Sequence, residues 1–279
     1  MINTTGDDSR YPSNPKFAQL KNTNLLPHPR QQNSSDTTFD NQLIELESVD
    51  STNNYAMGRI HAGLASDGLV CLARYQSAGK GQRGKSWLSE PGQSLIMSLV
   101  FQPAQLLITQ QFLFSAAVAL GILDLFQLFQ EKKWTIKWPN DIYWGDRKAG
   151  GILIESIIRG ENWPWAVVGI GINLNQETFP EEIPNAISVK QITGIHYNPV
   201  ELARQLVPTI RDRIGILRED PDRILHELNQ FLYKRNQSVA LQKGNEMIIA
   251  TILNINSGGI LQTDNGLFAA GDVQFVTGH

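Results

Sequence analysis

The sequence is almost without cysteine. One thiol, Cys71, in 279 residues excludes an internal disulfide and fits a reducing compartment. It sits in the strand-like word "LVCLA" with no basic residue beside it, which reads as a buried, inert thiol rather than a nucleophile. A surplus of charge is also lacking. The 24 Lys and Arg against 27 Asp and Glu leave a net charge of −3, which argues against a surface that coats nucleic acid. The N-terminus "MINTTGDDSR" has acids where a signal peptide needs a basic region and an apolar core. Long apolar runs are missing, with one exception, "FLFSAAVALGILDLFQLF" from Phe112 to Phe129. That run is at the lower limit for a membrane span. Asp124, Gln127 and Glu131 fall at i, i+3 and i+7 and give its second half a polar stripe, so it reads as a helix packed on a sheet with one wet side. The expectation is a cytoplasmic protein without a membrane or nucleic-acid partner.

What is present divides into three textures. Residues 1–38 are rich in Asn, Ser, Thr, Gln and Pro, have no apolar periodicity, and read as a flexible extension. Residues 39–235 mix strands and helices without a regular strand–helix–strand repeat. A strand at Leu43–Leu46 leads to a helix capped near Ser51 or Thr52. After the long apolar helix come "WTIKW", "IYW", "KAGGILIESII" and "PWAVVGIGINLN", strands joined by short turns. Helix returns over 200–235, with Pro208 expected to kink or break it. Such runs of hairpins imply an α+β fold with a mixed, largely antiparallel sheet and helices on one side. Residues 236–279 change to short strands joined by "KGNE", "NSGG" and "DNG", the texture of a small separate β-barrel.

The stretch "GKGQRGKS", Gly79 to Ser86, spells the nucleotide-binding pattern G-x-x-x-x-G-K-[ST] and contains G-x-G-x-x-G. Both motifs need a helix after the loop, whose free N–H groups and dipole hold phosphates. Here Pro91-Gly92 marks a turn five residues on, and Ser94 to Phe101 reads as a strand. The loop therefore joins strand to strand, and the P-loop reading fails on context. What remains is a glycine-rich loop whose Lys80, Arg83 and Lys85 can wrap a small anion.

Three more stretches carry polar groups where plain structure does not ask for them. "VDSTNN" sets Ser51, Thr52 and Asn53 at a strand-to-helix junction, where a simple cap is the bland alternative. In "KWPNDIYWGDRKAGGILIE", Lys137 alternates with Ile136 and Trp138 and so points to the opposite face. In "VVGIGINLN", Gly169 and Gly171 leave one face of a strand bare, where a flat ligand or another backbone can approach; close helix packing would ask for the same glycines.

Taken together, these words resemble the biotin protein ligase family. The glycine-rich loop at 79–84, Lys-Trp-Pro-Asn-Asp at 137–141, Arg-Lys-x-x-Gly-Ile-Leu-x-Glu at 147–155 and Gly-x-Gly-Ile-Asn at 169–173 are similar to its signatures, over roughly residues 40 to 276. The resemblance is to a short form without an N-terminal DNA-binding domain. It implies an ATP-dependent ligase that forms biotinyl-5'-AMP and passes biotin to a lysine of a biotin carboxyl carrier domain. It implies Lys137 as the main catalytic group. It places Ser51, Thr52, Asn53, Gln76, Gly79, Lys80, Gly81 and Gly151 at biotin, and Arg83, Lys85, Trp87, Asn140, Lys148 and Asn173 at ATP or the adenylate. Mg²⁺ would arrive on ATP, with Asn140 and Asp141 orienting either it or Lys137, and a homodimer is compatible with the family. The loop departs from the frequent Gly-Arg-Gly-Arg-Arg-Gly: Lys80 keeps the charge without the guanidinium fork, and Gln82 loses it. A lipoate-type ligase or acyltransferase on the same fold is the nearest rival. It would want a longer apolar tunnel and lacks the neutral polar set. A binding protein without turnover stands further off, separable by pyrophosphate release.

Overall fold

The computed structural model describes residues 37–130 and 133–276. The expected extension over 1–38 lies outside them but for its last two residues, and Glu131 lies outside as well. The described residues fall in one compact unit. The described residues open with a helix that the sequence did not advertise, α1 (Thr37–Gln42), then β1 (Leu43–Leu46), α2 (Thr52–His61), β2 (Val70–Ala73), β3 (Ser94–Phe101) and the apolar helix α3 (Gln111–Phe129). The strands β4 (Trp134–Lys137), β5 (Asp141–Trp144), β6 (Arg147–Arg159) and β7 (Asn162–Asn173) follow.

These strands make one seven-stranded sheet in the order β1-β2-β3-β7-β6-β5-β4. Only β1 and β2 run parallel; the other neighbours are antiparallel. Every residue of β3 is buried, because both of its faces are covered and a doubly covered strand reads as continuous apolar sequence. On one face, Leu95, Met97 and Leu99 pack with Phe114 and Leu120 of α3. On the other, Cys71, Val100 and Val167 gather around Ala56 of α2. The long helices thus share one face, and the ten-residue α2 covers part of the other. The Cys71 thiol is buried, which pushes its pKa up to about 11.

After α4 (Val189–Thr193) come α5 (Pro199–Glu219) and α6 (Pro221–Gln230). The helix does not break at Pro208. It runs through to Glu219, and the break falls at Asp220-Pro221. Leu206, Val207 and Ile210 around the proline are buried, and α5 lies close on α3: a Cβ on Gly121 would stand 2.7 Å from Ile210 Cα. Packing there outweighs one missing backbone bond.

The stripe on α3 is a second correction. Asp124 does not face water; both its oxygens accept from Arg213 of α5 at 2.6 Å, and Arg213 also pairs with Glu227 of α6. The helix is long and apolar enough to cross a membrane by length and composition, and 67% of its most apolar window is buried within the protein.

The last strands, β8 (Ser238–Lys243), β9 (Glu246–Ile255), β10 (Leu261–Thr263), β11 (Gly266–Phe268) and β12 (Gln274–Phe275), form a five-stranded sheet in the order β11-β10-β9-β8-β12. Its pairings are all antiparallel. Leu241, Ile252, Ile255 and Leu261 belong to the same apolar core as the large sheet. Two polar ties reinforce that join. Trp138 Nε1 donates to the Gly259 carbonyl at 2.9 Å, and the Asn229 amide exchanges two bonds with the Ile255 backbone.

Candidate functional site

A cavity of about 680 Å³ opens over β3, β7 and β6, between the loop after β2 and the C-terminal sheet. That is the size of an ordinary small-molecule site. Every residue expected at the site lines it except Gly79. Gly79 stands behind the wall, where a Cβ would come 2.5 Å from the Trp87 carbonyl oxygen. Its bare backbone lets the two arms of the loop meet.

One end of the cavity is neutral and closely bonded. Ser51 occupies the cap position of α2 but makes no capping bond. Gln76 does that work instead: its Oε1 accepts from Thr52 N at 2.7 Å and from Thr52 Oγ1 at 3.1 Å. Ser98 on β3, fully buried, has its hydroxyl 2.6 Å from Asn53 Oδ1 and 2.8 Å from Thr52 Oγ1. An amide oxygen only accepts, so the Ser98 proton goes to Asn53. Asn53 Nδ2 in turn donates to Glu155 at 2.8 Å and reaches the Leu153 carbonyl at 3.3 Å. The bare face of β7 makes room for this cluster. A Cβ on Gly169 would stand 2.5 Å from Asn53 Oδ1.

The loop between the ends is a narrow hairpin. Trp87 N donates to the Gly79 carbonyl at 2.9 Å, and Gly81 N donates to that of Lys85 at 2.6 Å. Lys80 and Ser86 form a bridge between its arms. Arg83 and Gly84 at the tip have φ of 58° and 75°, the left-handed region that glycine enters freely. The tip reaches the C-terminal sheet, where Arg83 donates to the Ala270 carbonyl. The tip is itself a three-residue turn, Gln82–Gly84, and the next element is β3, with no helix between them to hold phosphates. Lys80 bonds Asn54 Oδ1 at 2.5 Å and lies 3.7 Å from Glu155. The Trp87 indole lies flat over the strand, and a Cβ on Gly171 would come 2.6 Å from it.

The other end is cationic. Lys137 closes β4 and points away from the buried Ile136 and Trp138, as the alternation requires. It is 8% exposed, and that burial brings its pKa down to about 8, with nearby Asp141 opposing the shift. Its Nζ donates to Tyr143 Oη at 3.1 Å. Lys148 pairs with Asp141 at 2.7 Å, and a Cβ on Gly151 would touch both. Asn173 donates to the Lys148 carbonyl at 3.2 Å. The Asn140 amide does not reach Lys137; it donates to the Ile152 carbonyl at 2.5 Å and ties β6 to the turn. Among the described residues no three His, Cys, Asp or Glu side chains converge into a metal cage, and Asp141 is engaged by Lys148.

Several residues of the site or its supports carry no expectation from sequence. Ser98, which bonds Thr52 and Asn53, had a signal, a serine in the middle of the apolar word "SLIMSLVF". Glu155 stood in a quoted motif but carried no assigned role. Tyr143, the segment 182–186, and Gly271, Val273, Gln274 and Phe275 near the C-terminus line the cavity. Nothing local marks the last two groups. Chemically, one end suits a polar, uncharged ring and the other suits anions, with an aromatic face between them.

The sequence model of the biotin/lipoate A/B protein ligase family matches residues 45–173. The biotin–[acetyl-CoA-carboxylase] ligase of Paracoccus denitrificans is 35% identical over 168 residues, 58% of this chain and 69% of that protein. The bifunctional ligase/repressor BirA of Escherichia coli is 31% identical over 175 residues, 62% of this chain and 53% of BirA. The match thus spans about half the length of BirA. Among solved structures, the biotin protein ligase of Aquifex aeolicus in complex with biotin and ATP superposes with a TM-score of 0.70 at 25% identity, over 85% of this chain and 99% of that one. Motifs, topology and relatives agree, and the chain belongs to the biotin/lipoate A/B protein ligase family.

Proposed function

We propose that this protein is an ATP-dependent ligase that activates biotin as biotinyl-5'-AMP and transfers it to a lysine of a biotin carboxyl carrier domain. The observation that carries this reading is the division of one cavity into an end walled by bonded amide and hydroxyl groups and a cationic end: Gly169 and Gly171, two residues apart on β7, clear space for Asn53 and Trp87 respectively. The relatives and the Aquifex complex support it. Biotin's ureido ring is polar but uncharged and suits Thr52, Asn53 and Gln76. Its carboxylate then points to Lys137.

In the first step the carboxylate attacks the α-phosphate of ATP and pyrophosphate leaves. Both partners are anions, so cations must bring them together and stabilise the growing charge. Lys137 takes that role by charge and position, since no covalent enzyme intermediate is needed. Lys148, Lys85 and Arg83 neutralise phosphates, and Trp87 stacks on the base. Mg²⁺ would arrive bound to the nucleotide, since the described residues form no carboxylate cage. In the second step a carrier lysine attacks the mixed anhydride and AMP leaves. The hairpin over the site keeps water from the anhydride meanwhile.

The test is pyrophosphate release from ATP with biotin or lipoate, followed by transfer to a purified carrier domain. Biotin-dependent release and a biotinylated carrier lysine are expected. Release with lipoate alone, or none with either, would sink the reading.

A further inference from the structure

Lys137 stands among three rings that come from separate parts of the chain. Its Nζ lies 4.7 Å from the ring centre of Tyr143 on β5, 5.0 Å from that of Phe275 on β12, and 5.5 Å from that of Tyr233, which follows α6. The rings also meet one another: Tyr143 and Tyr233 are 5.1 Å apart, Tyr233 and Phe275 6.0 Å. Each is held in place. Ile136 N donates to the Phe231 carbonyl at 2.8 Å, and Tyr233 N donates to that of Ile136 at 3.0 Å. Tyr233 Oη donates to Asp146 Oδ1 at 2.9 Å. Phe275 pairs with Leu241 of β8, and Val276 N donates to the Ala240 carbonyl at 2.9 Å.

We propose that Tyr143, Tyr233 and Phe275 are positioning residues that hold the Lys137 ammonium in line with the reacting groups, so that the last strand of the C-terminal sheet is part of the catalytic machinery. This rests on the ligase reading above. Among the described residues no carboxylate comes within ion-pair distance of Nζ: Asp141 is taken by Lys148 and Asp146 by Lys234 and Tyr233. Lys148 and Lys85 nearby repel it. What holds the ammonium is therefore the negative faces of the rings and the Tyr143 oxygen. A free lysine stem would sample many rotamers, and the rings remove that freedom before substrate arrives.

The test uses the full chain with Phe275→Leu, which keeps apolar bulk and removes the ring face, and Phe275→Tyr, which restores a ring. Lysine labelled with ¹³C at Cε is followed by NMR, and the Lys137 signal is assigned by its loss in Lys137→Arg. In the wild type that signal should be ring-shifted upfield; in Phe275→Leu the shift should shrink. Pyrophosphate release should then lose about tenfold in kcat, with the KM for biotin unchanged, and Phe275→Tyr should recover most of the rate. If Phe275→Leu does not fold, Tyr143→Phe removes only the accepting hydroxyl, and kcat should again fall without a change in KM. An unshifted Lys137 signal in the wild type overturns the proposal, as does a fall in kcat in Phe275→Leu with the ring shift intact, or an unchanged kcat in Tyr143→Phe. A ring-shifted Lys137 in a protein that releases no pyrophosphate would leave the enclosure standing and remove the ligase reading instead.

Discussion

The two ends of the cavity are built on opposite plans. At the neutral end, Thr52, Asn53, Gln76 and Ser98 are linked by hydrogen bonds, Glu155 accepts from Asn53, and the amide and hydroxyl partners are spoken for within the protein. At the cationic end the charges are spread: Lys137 is buried among rings, Lys148 is paired, and Lys85 and Arg83 are exposed on a hairpin. The first plan suits shape selection by a fixed mould. The second suits a reaction in which charge appears and departs, where cations must be near but not neutralised. One strand serves both, since Gly169 clears space for Asn53 and Gly171 for Trp87.

The comparison breaks most sharply at Lys137. Lys137→Ala should lower adenylate formation by about 10²–10³-fold while the melting temperature holds, because the neutral end is untouched; pyrophosphate assays on the folded variant decide it, and a wild-type rate would remove Lys137 from its role. The two glycines sharpen it next. Gly169→Ala drives a methyl into Asn53, so the KM for biotin should rise by about tenfold while that for ATP stays. Gly171→Ala drives one into Trp87 and should do the reverse. Identical effects of the two variants on both substrates would mean that the ends are not separate. Smaller, and confined to the cationic end, is a pH effect. Lys137 is a cation below its pKa of about 8 and neutral above it, so kcat/KM should fall as pH rises through 8, since this ratio reports the free enzyme. A profile flat to pH 10 would show that Lys137 keeps its charge. The least effect belongs to Ser86, exposed on the arm of the loop. A P-loop would need its hydroxyl for Mg²⁺; here Ser86→Ala should keep full activity in the same assay, and a large loss would revive the rejected motif.

Much of this was legible because it is local. Ser94 to Phe101 reads as a strand to the residue, bounded by Pro91-Gly92 and Pro103. The alternating glycines of β7 announce a bare face. What they clear space for, Asn53 and Trp87, is not local, and only the fold supplies it. The short α1 has too few turns to show a period. Asp124 reads as wet because its partner, Arg213, is 89 positions away. Pro208 reads as a break because intrinsic preference ignores the packing of α5 on α3. Tyr233 and Phe275 carry no mark in their own neighbourhoods; topology alone brings them to Lys137.

The indole of Trp138 has a consequence for how the protein comes apart. It sits next to Lys137 and bonds the backbone of the C-terminal sheet at Gly259, in a core that both sheets share. Loosening the small sheet would strip partners from the strand that carries the lysine. Melting and inactivation should therefore be one cooperative event, with no stage at which the tail has frayed and the enzyme still turns over.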